Sequence, residues 1–455
     1  MKLNPLIFRK YDIRGVADRD LTPEVVNEIG RAYGTYIKRC QKKKAFIGMD
    51  ARLSSPRIKR NLIAGITSTG IDIIDLGLIP TPVLYFAINY YEEDSGVMVT
   101  GSHNPKEYNG LKLCVNKTSI YGEEIQKLKE MIEKEDFEKG EGKIEQRNPI
   151  PDYLKYLQTK FKFKKRFRIA VDPGNGAVGV LIERLFSSFG FDVKYINLKP
   201  DGNFPVHLPD PTIPKFMEEL SKIVKEEKRD IGIGYDGDGD RIGIIDEEGN
   251  LIYGDRLLAL LASEVLEKNP GAKIIFDVKC SEGIVEYIKK KDGIPIMYKT
   301  GHSLLKAKMR EENAPMAGEM SGHIFFKDEY FGFDDAIYAS LRVLRIMDKK
   351  EKKITQLLSE IPSYISTPEI RIACPDKIKF DVVERLKKEF EGFNVITIDG
   401  LRVVTEKGWG LVRASNTQPV LVLRFEAKKE KDLEDIKNLF YEKLKKIGVE
   451  PKEVI

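Results

Sequence analysis

Three times in this chain an apolar run ends in an aspartate, turns into a helix and returns as a second apolar run. The first pass is Phe46-Ile47-Gly48-Met49-Asp50, a helix with apolar residues Ile58, Leu62, Ile63 and Ile66, and the run 71–76. The second is Arg168-Ile169-Ala170-Val171-Asp172, a glycine turn, a helix through Val180, Ile182 and Leu185, and the run 192–196. The third is Lys273-Ile274-Ile275-Phe276-Asp277, a helix over 284–290 and the run 294–298. Near-continuous apolar strands alternating with helices belong to mixed or parallel sheets covered on their faces. The aspartates stand 122 and 105 residues apart, a domain-sized period that predicts three related α/β mixed-sheet domains.

A charged, glycine-containing stretch over 133–151 reads as a linker, with further breaks near Asn250-Leu251 and over 362–368. Beyond the last break the pattern changes to a strand at 369–373, a helix over 377–391, strands at 395–398, 410–413 and 420–427, and an amphipathic helix over 431–446. That is a C-terminal α+β domain. The expected α/β architecture is four domains, 1–149, 150–250, 251–366 and 367–455, around a central cleft. A chain of 455 residues has room for them at about 100–200 residues each.

The 76 basic and 71 acidic residues leave a net charge of only +5, and basic runs such as Lys42-Lys43-Lys44 alternate with acidic stretches. Solvated faces account for them, and no nucleic-acid partner is expected. Cys40, Cys114, Cys280 and Cys374 show no C-x-x-C spacing, so neither a zinc site nor a disulfide frame is indicated. No stretch approaches a membrane span and no apolar leader opens the sequence, so a cytoplasmic protein without membrane contact is expected. Oligomeric state is left open.

Two familiar patterns fail on inspection. Gly174-Asn175-Gly176-Ala177-Val178-Gly179 fits a dinucleotide fingerprint, but Asn197, not an acid, stands where the second strand should end in a ribose-binding carboxylate. Asp236, Asp238, Asp240 and Glu247 match calcium-loop positions, but Arg241 replaces the glycine that the loop's sharp turn needs, and the flanks are strand-like.

Four segments carry chemistry. The strand Val97-Met98-Val99 opens into Thr100-Gly101-Ser102-His103-Asn104-Pro105, where Gly101 is expected to supply unusual backbone angles and Ser102 a reachable hydroxyl. In Asp236-Gly237-Asp238-Gly239-Asp240-Arg241 three carboxylates on alternate residues would repel each other unless they share a cation. Such hard oxygen donors suit Mg²⁺ whose shell a phosphate completes. Gly318-Glu319-Met320-Ser321-Gly322-His323, with Lys299-Thr300-Gly301-His302, offers hydrogen-bonding groups for sugar hydroxyls. Three of the four histidines, His103, His302 and His323, lie in such polar, glycine-flanked turns. Arg413, Ser415, Asn416 and Thr417, in the turn before Pro419, make a phosphate cradle. The stretch from Phe8 to Gly15 is too short and charged for a core element, and its Tyr11 and Arg14 either cap a surface or grip a phosphate.

In this order, over the whole chain, the segments resemble the α-D-phosphohexomutases, most closely the phosphomannomutase/phosphoglucomutase branch. The metal loop reads D-G-D-G-D where the glucosamine branch typically has D-G-D-A-D, and the phosphate loop reads R-A-S-N-T where that branch has R-P-S-G-T. Gln418 departs from the glutamate usual before the proline. The resemblance implies reversible interconversion of hexose 1-phosphate and hexose 6-phosphate, of mannose and/or glucose. It runs through a phosphoserine at Ser102 and a hexose 1,6-bisphosphate that also acts as activator. It implies Mg²⁺ held by Asp236, Asp238, Asp240 and a phosphoserine oxygen of Ser102. It puts His103, Lys112 and Arg241 around the transferring group, with Lys112 and His302 as candidates for proton transfer. Tyr11 and Arg14 would meet the sugar phosphate, Lys279 and His302 would contact the sugar or assist proton transfer, and Glu319, Ser321 and His323 would read the sugar hydroxyls. Arg413, Ser415, Asn416 and Thr417 would hold the non-reacting phosphate. The partners implied are small-molecule sugar phosphates. The alternatives are the glucosamine-phosphate mutase of the same family and a sugar-phosphate-binding protein whose chemistry has lapsed.

Overall fold

Each of the three repeats builds the same four-strand unit. In the computed structural model, which describes residues 3–91, 93–415 and 419–452, the strand that ends beside each repeated aspartate lies inside a sheet, flanked by parallel strands on both sides. These central strands are Lys44–Met49, Arg168–Asp172 and Lys273–Asp277. Each pairs in parallel with the next strand along the chain, Asp72–Leu78, Asp192–Tyr195 or Ile294–Tyr298. On its other side each pairs in parallel with a third strand, Gly96–Val99, Ile231–Tyr235 or Met316–Gly318. That third strand then turns back antiparallel into a fourth, Tyr108–Val115, Ile242–Ile245 or Ile324–Phe326. The parallel pairs need helical crossovers, which cover the sheets and account for the unbroken apolar strands.

The sheets reach further than the sequence pattern suggests. The charged 133–151 stretch contains the strand Ile144–Gln146, which extends the first sheet beside Asp72–Leu78. All three of its residues are exposed, so no apolar signal marks it. Leu251–Ile252, at the second break, pairs with the second sheet, and Ile365–Ser366, within the third break, with the fourth. The amino-terminal stretch, expected to be no core element, forms the edge strand Ile13–Val16 with Ile13 buried. The helix read through Val180 and Leu185 is a short 3₁₀ turn, Ala177–Val180, followed by the α-helix Ile182–Ser188. The fourth domain is an antiparallel sheet that gains the strand Leu401–Val404, with the helices Lys379–Glu389 and Glu430–Lys446 packed against it.

A single apolar cluster runs through the first three domains, joining Phe86, Tyr153, Phe186, Tyr235, Leu257 and Tyr338. The fourth domain has its own, centred on Leu421, Leu423, Phe425 and Phe440. Among the described residues no helix is long and apolar enough to cross a membrane.

Candidate active site

The three repeats place their chemistry at one topological position. The turn between the third and fourth strands carries Ser102 in the first domain, Asp236, Asp238 and Asp240 in the second, and Glu319 and Ser321 in the third. This is the carboxyl end of a parallel strand, where open α/β sheets bind ligands. In the fourth domain the turn after Gly408–Ala414 begins with Ser415; Asn416, Thr417 and Gln418 lie outside the described residues.

Ser102 is not held out to solvent. It is buried, with φ of 51°, and its hydroxyl donates to Asp236 Oδ2 at 2.6 Å across the boundary between the first and second domains. His103 Nδ1 lies 3.2 Å from the same Oγ. The left-handed backbone belongs to Ser102 and not to Gly101, and for a residue with a side chain it costs on the order of 1–3 kcal/mol. Gly101 is required for another reason: a Cβ there would lie 2.6 Å from Arg52 Nε. The conformation is held by Asp50 at the end of the central strand. Asp50 Oδ2 accepts from Thr100 Oγ1 at 2.8 Å and from the Gly101 amide at 3.2 Å, while Thr100 Oγ1 accepts the Ser102 amide at 2.9 Å. Asp277 holds the third domain's loop in the same way, accepting the Met320 amide at 3.1 Å.

Asp236, Asp238 and Asp240 are fully buried, with ligand atoms within 4.8 Å of one another. Asp236 Oδ1 closes the loop by accepting the amides of Gly239, Asp240 and Arg241. Burial and the charges of Asp238 and Asp240 push the Asp236 carboxyl well up. Lys112, from the first domain, donates to Asp238 Oδ2 at 2.6 Å and to Asp240 Oδ2, and Thr81 Oγ1 donates to Asp238 Oδ2 at 2.5 Å. Asp238 Oδ1 is buried with no hydrogen bond among the described residues. Three hard donors and one unspent carboxylate oxygen fit a divalent cation. Burial opposes the charge on Lys112, but Asp238 and Asp240 outweigh it and raise its pKa. In the metal-free protein Lys112 is therefore a counter-ion to the acidic loop.

The sugar-type loop of the third domain closes on the same cluster. His323 Nε2 lies 3.2 Å from Asp240 Oδ1, and its Nδ1 2.6 Å from Glu319 Oε2. Burial opposes its charge, but Asp240 and Glu319 prevail and raise His323 to about 9. Glu319, despite burial, is held down to about 2 by His323 and Lys279, and its Oε1 accepts the Gly301 amide at 2.6 Å. Ser321 Oγ lies 3.2 Å from His323 Nδ1, and Arg241 Nε lies 3.3 Å from His323 Nε2. His302, which opens the helix His302–Glu311, has its ring centroid 5.6 Å from that of His323. Burial and the neighbouring Lys306 and Lys112 keep His302 neutral, and burial and Arg241 do the same for His103. His207, the remaining histidine, is a structural group bonded to Asp172 and Leu208.

The phosphate-type cations face carboxylates. Arg413 pairs with Asp399 at 3.1 Å, Lys279 with Glu369 at 2.6 Å, and Arg14 with Asp12, while Arg14 Nη1 also donates to Asn104 Oδ1 at 3.1 Å. Tyr11 Oη donates to the Thr300 carbonyl at 2.6 Å, and the Thr300 amide donates to Asp399 at 3.1 Å, linking the first, third and fourth domains. Sequence reasoning thus named residues from all four domains, several of which contacts across the domain boundaries bring together among the described residues. It missed Asp50, Arg52, Thr81, Glu369 and Asp399, which touch the named groups; the recurrent Asp-x-basic pattern of Asp50-Ala51-Arg52 and Asp277-Val278-Lys279 was a signal for Arg52.

The family models for phosphoglucomutase/phosphomannomutase alpha/beta/alpha domains I, II and III match residues 5–139, 151–249 and 253–364, and that for the C-terminal domain matches 369–443. The chain is 47% identical over 444 residues to a phosphomannomutase/phosphoglucomutase of Pseudomonas aeruginosa, covering 97% of this chain and 96% of the relative. It is 42% identical to a phosphoglucomutase of Neisseria meningitidis, covering 95% of each. A crystal structure of a phosphoglucomutase/phosphomannomutase family protein from Burkholderia thailandensis matches with a TM-score of 0.93 at 41% identity, covering 99% of this chain and 100% of that one.

Proposed function

This chain belongs to the phosphoglucomutase/phosphomannomutase family and is a hexose-phosphate mutase, an isomerase; on that premise we propose that Ser102 carries the phosphoryl group between the 1- and 6-oxygens of mannose and glucose phosphates. The carrying observation is the Ser102 hydroxyl buried 2.6 Å from Asp236, within the acidic cluster. One functional loop falls in each of the proposed units 1–149, 150–250, 251–366 and 367–455.

Hexose 1-phosphate enters with its phosphate on Arg413, Ser415, Lys279 and Tyr11, and its 6-hydroxyl toward phosphorylated Ser102. Glu319, Ser321 and His323 read the ring hydroxyls. The 6-oxygen attacks phosphorus, the P–Oγ bond breaks with its electron pair left on Ser102 Oγ, and the 6-hydroxyl proton passes to a base. His302 and Lys112 are the candidates for that role; burial and nearby cations keep His302 neutral, and Lys112 would become available once Asp238 and Asp240 hold the metal. Arg241 and His103 face the charge that develops. Asp236, Asp238, Asp240 and a phosphoserine oxygen would hold Mg²⁺, which when bound neutralises phosphoryl charge as a Lewis acid. The 1,6-bisphosphate turns over in the cleft, and Ser102 Oγ attacks the phosphorus on O1; the P–O1 bond breaks with its electron pair left on O1, which takes back the proton held by the base, releasing hexose 6-phosphate and restoring the phosphoserine. Free bisphosphate activates by rephosphorylating a bare Ser102. A cytoplasmic location is part of the proposal; the four unpaired cysteines fit a reducing compartment.

The test is a substrate panel on wild type and Ser102→Ala with Mg²⁺ and a trace of bisphosphate. Wild type should turn over mannose 1-phosphate and glucose 1-phosphate at comparable rates and glucosamine 1-phosphate poorly. The variant should lose about 10⁴-fold or more. Wild-type turnover by the variant contradicts the role of Ser102, and preference for glucosamine 1-phosphate moves the chain to the other branch.

A further inference from the structure

Arg52 has its side chain fully enclosed and spends its guanidinium on one loop. Nη2 donates to the carbonyls of Ser102 at 2.7 Å and Asn104 at 2.6 Å. Nη1 donates to those of Pro105 at 2.7 Å and Tyr108 at 3.0 Å. Nε lies 3.2 Å from Asp50 Oδ2, the oxygen that also receives Thr100 and Gly101. Four of the five donors therefore grip four carbonyls of the turn that carries Ser102, and the fifth faces its anchoring aspartate. A buried cation is costly to keep, and apolar packing would fill the same space more stably, so Arg52 is not explained by core stability alone.

The surroundings are shaped to this side chain. Gly101 leaves room for it, since a Cβ there would meet Nε at 2.6 Å and Cζ at 2.7 Å. From the second domain, Gly202 packs against the Arg52 segment so closely that a Cβ would lie 2.5 Å from both Ala51 O and Leu53 N. The neighbouring Phe204 puts its ring 5.1 Å from Arg52 Cζ. In the third repeat the equivalent residue is Lys279, which reaches across to Glu369 of the fourth domain; in the first repeat the basic residue turns inward onto its own loop.

We infer that Arg52 is the positioning residue for the phosphoryl-carrying serine: it holds the Ser102 turn in its left-handed form and, under the Phe204 cap, sets the Oγ against the metal-type loop of the second domain. This rests on the reading of Ser102 as the phosphoryl carrier. Arg52 touches no substrate, because its donors are committed to the loop. Its loss should act on turnover and leave the phosphate-binding end of the cleft, more than one domain away in the chain, undisturbed.

The experiment compares wild type, Arg52→Lys and Phe204→Leu. It measures kcat and KM for glucose 1-phosphate, with Tm as a check on folding and the Ser102 peptide analysed by mass spectrometry after incubation with glucose 1,6-bisphosphate. Lysine keeps the charge but lacks the fork that spans four carbonyls. Arg52→Lys should lower kcat about 100-fold with KM within about threefold, and should take phosphate onto Ser102 correspondingly slowly. Phe204→Leu, which leaves the cation in place and only loosens its cap, should lower kcat about fivefold in a folded protein. A folded Arg52→Lys with wild-type kcat overturns the inference, and so does a fall confined to Tm or KM. Should Arg52→Lys fail to fold, wild-type kcat in Phe204→Leu overturns it. A wild-type enzyme that turns over while Ser102 carries no phosphate contradicts the underlying reading instead, a result distinguishable from any of these.

Discussion

One apolar cluster runs through the first three domains, from Phe46 to Ile361, beside a second core within the first domain, whereas the fourth domain contributes none of its described residues to it and meets the third through buried cations and a small apolar patch. Arg402 lies buried at that seam, donating to the carbonyls of Val278 at 2.7 Å and Cys280 at 2.9 Å and stacking 3.7 Å from the Trp409 ring. Arg424 reaches Asp255 at 3.2 Å and the Lys279 carbonyl. The apolar cluster across the seam is small, with Val278, Trp409 and Leu411 buried and Met297, Ile398 and Val404 packed against them. Dense apolar packing does not deform continuously, while polar interfaces of this kind resemble transient contacts. The contrast assigns the reacting groups to the rigid part: Ser102, Lys112, Asp236, Asp240 and His323 all sit between domains that share one core. The fourth domain, holding Arg413, is the part suited to open and close over a sugar that must turn around before it leaves.

Removing Arg413 strikes the fourth domain's end of the proposed site. Arg413→Ala should raise KM for hexose 1-phosphate about 10–100-fold, as expected for losing charge-assisted bonds, with a smaller change in kcat. A fall in kcat with KM intact would place Arg413 in the rigid half and erase the contrast.

A titration sharpens the other side. His323 is raised to about 9 from 6.5, so in the metal-free protein its protonated form favours the fold. Its contribution is whole below about 6.5 and is lost as pH climbs through about 9. Glu319, lowered to about 2 from 4.5, contributes fully above about 4.5 and loses that contribution as pH falls toward 2. Glu319→Gln should therefore bring the His323 imidazole signals, followed by NMR, to a lower midpoint than in wild type. An unchanged midpoint would mean that Glu319 does not hold the His323 ring within the third domain's loop.

Much of this was legible beforehand because the signals were local. A central strand ending at aspartate, a serine turn or three alternating carboxylates are each written in a few neighbouring residues. What escaped was short, exposed or long-range. Ile144–Gln146 has no buried residue to mark it, and Leu401–Val404 is a four-residue strand between turns. The strain was placed on Gly101 because glycine is the usual carrier of positive φ; it sits on Ser102 because Arg52, at its carbonyl, and Thr100, at its amide, hold that residue's backbone from both sides. The common topological position of the functional turns appears only once strand pairing is known. The pairing of Lys112 with the acidic cluster joins residues 126 and 128 positions apart, beyond any motif.

The central claim is that Ser102 carries the phosphoryl group, and phosphate mapping under single-turnover conditions tests it most directly. Enzyme treated with glucose 1,6-bisphosphate and freed of it should hold one phosphate, on the peptide containing Ser102. On mixing with substoichiometric glucose 1-phosphate, that phosphate should move to the sugar at the rate of turnover. An active enzyme with no phosphate on Ser102, or with one that stays in place while product forms, would contradict the account.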